Sequence, residues 1–492
     1  MAGETREFKR ELKLLDSTMI VIGSMIGSGI FIVSADIART LGGPGWLLTS
    51  WLVAGVITII GALSYGELAG MMPRAGGQYV YLREAYNPLI AFLYGWTMFT
   101  VIQTGTIAAV AVAFAKFTAV LLPGLGENVV LFDAGLFKVT AARVVAIASI
   151  VLLTGVNLRG IHGGRLVQNA FTLTKTIALL GLIVLGLAIG RNAQAIALNA
   201  SEFWRASWTH VTAGQASVEP LVGLALLGAL GASMVGSLFS CDAWNNITFT
   251  AGEVVEPKRT IPLSLALGTG TVVLLYLLAN VAYLRMLPVQ GSPAAPDVFG
   301  RGIQFATSDR VGVAWATMIF GAPAAVIMAA LIMVSTFGCN NGLILAGARV
   351  YYAMARDRLF FARAGRLNRR SVPGVALGVQ AVWASLLCLT GTYSNLLDYV
   401  VFAVLVFYIL TVWGIFILRR RRPDTERPYR AFGYPVVPAL YLVAAAAISL
   451  DLLIEKPQYT WPGLIIVLLG VPVYFAWTRV VRRGAPAGGE TA

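Results

Sequence analysis

Nine residues carry the densest chemical potential in this chain: Gly23-Ser24-Met25-Ile26-Gly27-Ser28-Gly29-Ile30-Phe31. They lie halfway along an apolar segment running from about Asp16 to Thr40. A helix in lipid satisfies its own backbone polar groups. Three glycines and two serines within the seven residues Gly23 to Gly29 make that ladder hard to keep at the membrane midplane. An interrupted helix is tolerated there only where the released N–H and C=O groups face protein or a watery cavity. Such half-helix ends can hold a charged solute, the N–H groups meeting anions and the carbonyls meeting cations. The expected ligand is therefore a small solute bearing a carboxylate.

Two further residues could do chemistry inside the same apolar environment. Lys175 sits about ten residues into a later apolar run, in Phe171-Thr172-Leu173-Thr174-Lys175-Thr176-Ile177. At ~1.5 Å per residue that places its ammonium near mid-membrane, where a charge costs about 2.5–3.5 kcal/mol on the gentler insertion scales. It must face the bundle interior and touch carbonyls or hydroxyls, with Thr172 and Thr176 as candidates on the same helix. Two uses are open: a strut tying helices together, or a functional group. The functional group either carries a transported proton or stays charged as a built-in cation. Asp242, in Phe239-Ser240-Cys241-Asp242-Ala243-Trp244-Asn245-Asn246, marks a second irregular stretch, rich in residues that favour local backbone bonding over helix. Its carboxylate either stabilises that break locally or attracts a substrate ammonium or a basic side chain.

The elements that must position these residues are membrane helices. Hydrophobic residues make up 58% of the 492-residue chain and charged ones 12%, about half of the usual ~25%. Twelve apolar runs are long enough to cross a bilayer, at about 16–40, 46–70, 88–122, 139–157, 164–189, 221–252, 261–288, 311–345, 374–390, 394–418, 434–454 and 461–480. Several exceed a straight span and are expected to tilt or to run into a loop. Of the 37 basic residues, 26 fall on one side of this arrangement and ten on the other, leaving Lys175 between them. Basic residues favour cytoplasmic loops, so both termini are expected in the cytoplasm, which requires an even number of crossings. The net charge of +14 is then a topology signal and a potential contact with anionic lipid, not a nucleic-acid footprint. Breaks in the first and sixth spans have the spacing of a five-plus-five inverted repeat. The expected divisions are a tail at 1–15, repeats at 16–190 and 221–418, two added helices at 434–481 and a tail at 482–492.

Several stretches together resemble one family. The span-one stretch is similar to the signature of the amino acid–polyamine–organocation superfamily. Leu238 to Asn246, with Gly252-Glu253 and Glu256 to Pro262 behind it, resembles span six of the L-type amino acid transporter branch. Gly66-Glu67-Leu68, Pro73 to Tyr81, and Phe337-Gly338-Cys339-Asn340-Asn341-Gly342 match further family segments, and the likeness covers about residues 10 to 430. The resemblance implies an all-α membrane protein of LeuT-type fold with helices 1 and 6 broken. It also implies amino acid transport by alternating access. On this likeness the substrate carboxylate meets the amides of Gly27, Ser28 and Gly29. The α-amine is held near Met25 and by Phe239, Ser240 and Asp242, with Phe239 closing as a gate. Asn245 links span six to the site. Lys175 matches the family's span-five lysine, whose ammonium stands where sodium sits in sodium-coupled relatives. Sodium dependence is therefore not expected, since one fixed positive charge disfavours a second in the same pocket.

Two departures from the branch bear on partners and specificity. Heterodimeric animal members carry a cysteine between spans three and four that bonds a heavy chain. The corresponding loop here, about Pro123 to Lys138, has none, and Cys241, Cys339 and Cys388 all sit in apolar surroundings. No disulfide-linked heavy chain is expected. Asp242 stands where carriers of large neutral amino acids often have a small residue, which leaves room for cationic substrates beside neutral ones.

Other chemistries find little support. His162 and His210 lie far apart, so a metal site is not expected. Gly27-Ser28-Gly29 lacks the lysine of a phosphate loop. No catalytic constellation or cofactor is implied, and an enzyme is not expected. Glu67 and Glu253 read as salt-bridge partners of loop arginines such as Arg74. The expected function is a sodium-independent exchanger of neutral, and potentially cationic, amino acids in the cell (inner) membrane. The alternatives are a proton-coupled symporter, a polyamine or organic-cation antiporter, and a channel or solute sensor on the same bundle.

Overall fold

A computed structural model of the chain describes residues 8–133, 138–212, 215–390 and 393–483. Arg6, residues 134–137 of the loop after the third span and the tail from residue 484 onward lie outside the described residues. The first expected span is occupied by α1 (Leu14–Met25), α2 (Gly29–Ile32) and α3 (Ser34–Leu41). There follow α4 (Pro44–Met71), a short α5 (Gln78–Ala85), α6 (Pro88–Thr97) and α7 (Gln103–Leu121), the last two joined by a π-helical turn at Met98–Ile102. Next come α8 (Ala141–Leu158), α9 (Ile161–Ala188) and the short α10 (Ala193–Ser201). The sixth span is split into α11 (Leu224–Ser240) and α12 (Asn246–Phe249), with α13 (Pro257–Met286) after it. The chain continues through α14 (Val298–Arg301), α15 (Val311–Phe320), α16 (Ala322–Arg356) and α17 (Gly374–Thr390). It ends on α18 (Tyr393–Arg421), α19 (Val436–Glu455) and α20 (Pro457–Arg483).

Ten helical stretches among the described residues are long and apolar enough to cross a membrane. The shorter apolar helices α11 and α17, 17 residues each, bring the set to the twelve expected segments. The run at 311–345 is not one element. Gly321, at φ +75°, ends α15, and Pro323 in the first turn restarts the chain as α16. Two antiparallel strand pairs complete the described elements: β1 (Val130–Asp133) with β2 (Lys138–Thr140), and β3 (Ser207–Thr212) with β4 (Gln215–Pro220).

Local sequence accounts for where the helices begin. Asn87 accepts the Ile90 amide at 3.0 Å ahead of Pro88, giving α6 a side-chain cap and a proline at its first position. Thr140 and Asn192 cap α8 and α10 in the same way.

The arginine-rich end of the bundle is tied by buried charge. Glu67 on α4 takes Arg419 through both nitrogens of a fork (2.9 and 2.6 Å), the Ala431 amide (2.7 Å) and an ion pair with Arg427 at 3.3 Å. Its partners are thus Arg419 and Arg427 rather than Arg74, because the segment after α18 folds back over the end of α4. Glu253 pairs with Arg349 of α16 at 3.0 Å, both almost fully buried. The chain start lies against this pair. Glu11 and Leu12 donate their amides to the Glu253 carbonyl, Val255 donates to Leu12, and the Phe8 ring lies 5.9 Å from the Arg349 guanidinium.

Candidate functional site

The break in the first span falls at Ile26–Ser28, between α1 and α2. The last turn of a helix leaves four carbonyls without intrahelical partners. At the end of α1 all four are met by side chains from other helices. Lys175 of α9 donates to the Gly23 carbonyl and, at 2.7 Å, to that of Ile26. The Cys339 thiol of α16 lies 3.0 Å from the Ser24 carbonyl, and the Tyr276 hydroxyl of α13 donates to Met25 at 2.9 Å. Ser335 of α16 donates to the carbonyls of Ile26 (3.3 Å) and Gly27 (3.1 Å). An ammonium at the negative end of a helix dipole is favourable placement. Lys175 is buried, and its third contact, 3.5 Å to the Ser335 carbonyl, ties α1, α9 and α16 at one point.

Thr172 and Thr176 do not hold this ammonium. Thr172 donates to the Met19 carbonyl at 3.3 Å, and the Thr176 hydroxyl has no partner among the described residues. The lysine reaches across to α1 instead, where the end of the helix leaves carbonyls without intrahelical partners.

The second break runs from Cys241 to Asn245, with Ala243 at φ +65° in the left-handed region. A non-glycine residue held there is strained, and the strain marks where α11 stops. Asp242 accepts a hydrogen bond from the Tyr408 hydroxyl of α18 at 2.5 Å. No basic side chain pairs with it among the described residues. Asn245 donates to Gln78 of α5 at 3.1 Å, and Gln78 donates to Thr411 of α18 at 3.0 Å. This short amide chain fastens the start of α12 to two neighbouring helices.

The two breaks meet. A Cβ on Gly29 would stand 2.0 Å from Ser240 Oγ, so only glycine lets the half-helices approach this closely. Met25, Gly27, Ser28, Gly29, Phe239 and Ser240 are buried around this contact. Asp242 and Asn245 follow in the second break and both line a small pocket. Two small pockets share Asp242, Val404 and Tyr408. The first is also lined by Asn245, Gln78, Tyr94 and Asn246. The Tyr94 hydroxyl and the Asn246 amide nitrogen are buried without partners among the described residues.

Sequence reasoning missed Tyr276, Ser335, Gln78 and Tyr408. Gln78 and Cys339 stood inside quoted motifs. Tyr276 and Tyr408 stand in uniformly apolar runs, where a single aromatic hydroxyl carries no signal. His210 is stacked on Trp208 with ring centres 5.3 Å apart.

A sequence model of the family described as "Amino acid permease" matches residues 12–475. The chain is similar to large neutral amino acids transporter small subunit 2 of Mus musculus, 30% identical over 95% of this chain and 81% of the relative. It is similar to the serine/threonine exchanger SteT of Bacillus subtilis, 28% identical over 97% of this chain and 99% of the relative. It is also similar to b(0,+)-type amino acid transporter 1 of Mus musculus, at 26% over 98% and 92%. The broken first and sixth spans, the buried lysine on the first break and these likenesses agree: the chain belongs to the amino acid permease family, within the amino acid–polyamine–organocation superfamily, and is L-type-like.

Proposed function

We propose that this protein exchanges amino acids across the cell membrane by alternating access without sodium, both termini lying in the cytoplasm. The observation that carries the proposal is the Lys175 ammonium bonded to the carbonyls of Gly23 and Ile26. A fixed cation already occupies the negative end of α1, and a second in the same place is opposed by charge repulsion. The named relatives include an exchanger, which favours exchange over one-way uptake.

The amides of Gly27, Ser28 and Gly29 are assigned to the substrate carboxylate. Met25, Phe239, Ser240 and Asp242 surround the α-amine. The Met25 carbonyl, held by Tyr276 in this structure, then divides its two lone pairs between the hydroxyl and the substrate. Phe239 covers the site, and Asn245 ties the second break to the surrounding frame. Residues 16–190 and 221–418 act as two halves of an inverted repeat, with 434–481 added outside them. The unit works without a disulfide-linked heavy chain.

A second specificity follows from Asp242, whose carboxylate borders both cavities with Tyr408 as its bonded partner. Cationic side chains are accepted there beside neutral substrates. The test is uptake of labelled leucine, alanine and arginine into proteoliposomes, with and without internal amino acid, sodium and a proton gradient. Uptake that requires internal amino acid and ignores both gradients supports the proposal. Uptake into empty vesicles driven by protons would replace it with symport through Lys175. Transport of none of the three would move polyamines to first place.

A further inference from the structure

Six exposed arginines run from the last residue of α16 to the segment before α17: Arg356, Arg358, Arg363, Arg366, Arg369 and Arg370. Elsewhere arginines of this protein are engaged by carboxylates, as Arg39, Arg83, Arg205, Arg349, Arg419, Arg422 and Arg427 are. No guanidinium of the six has a carboxylate or hydrogen-bond partner among the described residues; Arg370 is bonded to Asn368 only through its backbone amide. The one acid in the stretch, Asp357, is taken by the Tyr79 hydroxyl and Arg83. Six guanidiniums therefore share a short segment with no internal counter-charge.

Their depth is set by aromatic contacts. Phe361, half exposed, packs edge-on against Trp477 of α20 with ring centres 5.4 Å apart, and the Trp477 indole donates to the Arg358 carbonyl at 3.0 Å. Trp477 stands three residues before the end of the apolar stretch Thr460–Val480, whose Phe475 and Val480 are exposed. The segment thus lies where a membrane helix leaves the hydrocarbon. Aromatic rings favour that level, and guanidiniums there reach phosphates in a two-pronged fork.

We propose that residues 356–370, with Phe361 and Trp477, form a docking surface for anionic phospholipid headgroups at the arginine-rich end of the bundle. The occupant is a lipid rather than free phosphate. The exposed apolar residues of Phe361 and Phe475 give acyl chains a place to lie, which an inorganic ion would not use. The proposal rests on the membrane placement of α20 and not on the exchange activity.

The test is native mass spectrometry of the full chain in detergent, titrated with phosphatidylglycerol and with phosphatidylcholine of the same acyl chains. Wild type is expected to retain phosphatidylglycerol in preference. The set R363Q/R366Q/R369Q/R370Q should lose about fivefold in relative affinity for each charge removed. The matching set of lysine substitutions should keep a preference. Equal retention of phosphatidylglycerol by wild type and the glutamine set would overturn the proposal. So would displacement of the lipid by inorganic phosphate at a matching concentration. If the glutamine set does not fold, the salt dependence of wild-type retention decides. A steep fall with salt is expected, and insensitivity to salt would sink the idea.

Discussion

Among the described residues Lys175 is hydrogen-bonded by main-chain oxygens, so its contribution is charge and reach rather than side-chain recognition. Lys175→Ala removes the ammonium that joins the carbonyls of Gly23 and Ile26, at the end of α1, to α9. Uptake is expected to fall to near background while the amount of protein at the cell surface changes little, read by transport assay and surface biotinylation side by side. Gly29 gives a sharper geometric test. Gly29→Ala should abolish uptake, because its Cβ would stand 2.0 Å from Ser240 Oγ. Adding Ser240→Gly should restore part of it, since removing that side chain returns the space. At this scale the sequence was informative where a residue contradicted its surroundings. Lys175, Asp242 and the glycines all stand out against apolar neighbours. Tyr276 and Tyr408 do not, because an aromatic ring belongs in an apolar helix and only the fold shows what its hydroxyl reaches.

Helices meet the site through their ends, and the breaks were readable for that reason. Glycine, serine and asparagine lower helix propensity and offer competing local bonds, so α1 and α11 stop where those residues gather. Ser28→Pro is expected to abolish transport, because it deletes one amide at the start of α2 and stiffens the break. Folding of that variant can be followed by size-exclusion elution. The division of 311–345 into α15 and α16 was not legible, since Gly321 and Pro323 are common enough in membrane segments to pass unnoticed. The ion pairs were half legible: acids near helix ends announce a partner, but which arginine arrives depends on how the segment after α18 folds back. Breaking one partner of a buried pair costs about 3–5 kcal/mol. Arg349→Met should therefore lower the thermal midpoint, and the double change with Glu253→Gln should recover much of the loss.

With twelve crossings both ends of the chain are expected on one side, and the basic excess predicts that this side is the cytoplasm. A single cysteine placed at Glu219, in the exposed β4 strand, is expected to react with an impermeant thiol reagent in intact cells. One placed at Asp424 should react only after the membrane is opened. The native cysteines are buried and give a low background. The opposite labelling pattern would invert the whole topology. Composition and run length sufficed for the number of spans. The contact of the two breaks needed the folded chain, because residues more than 200 positions apart leave no trace of their meeting in one sequence.

The seam between the chain start and the second half has a consequence for measuring the cycle. Glu11, Leu12 and Val255 donate their amides across it, to Glu253 and to Leu12 itself. These three amides are bonded across the seam, so a transport cycle that parts Phe8 and Leu12 from α16 and the end of the sixth span is expected to expose them to water. Hydrogen exchange at those three amides would then tick once per opening. Mass spectrometry with and without substrate is expected to show faster exchange there during turnover.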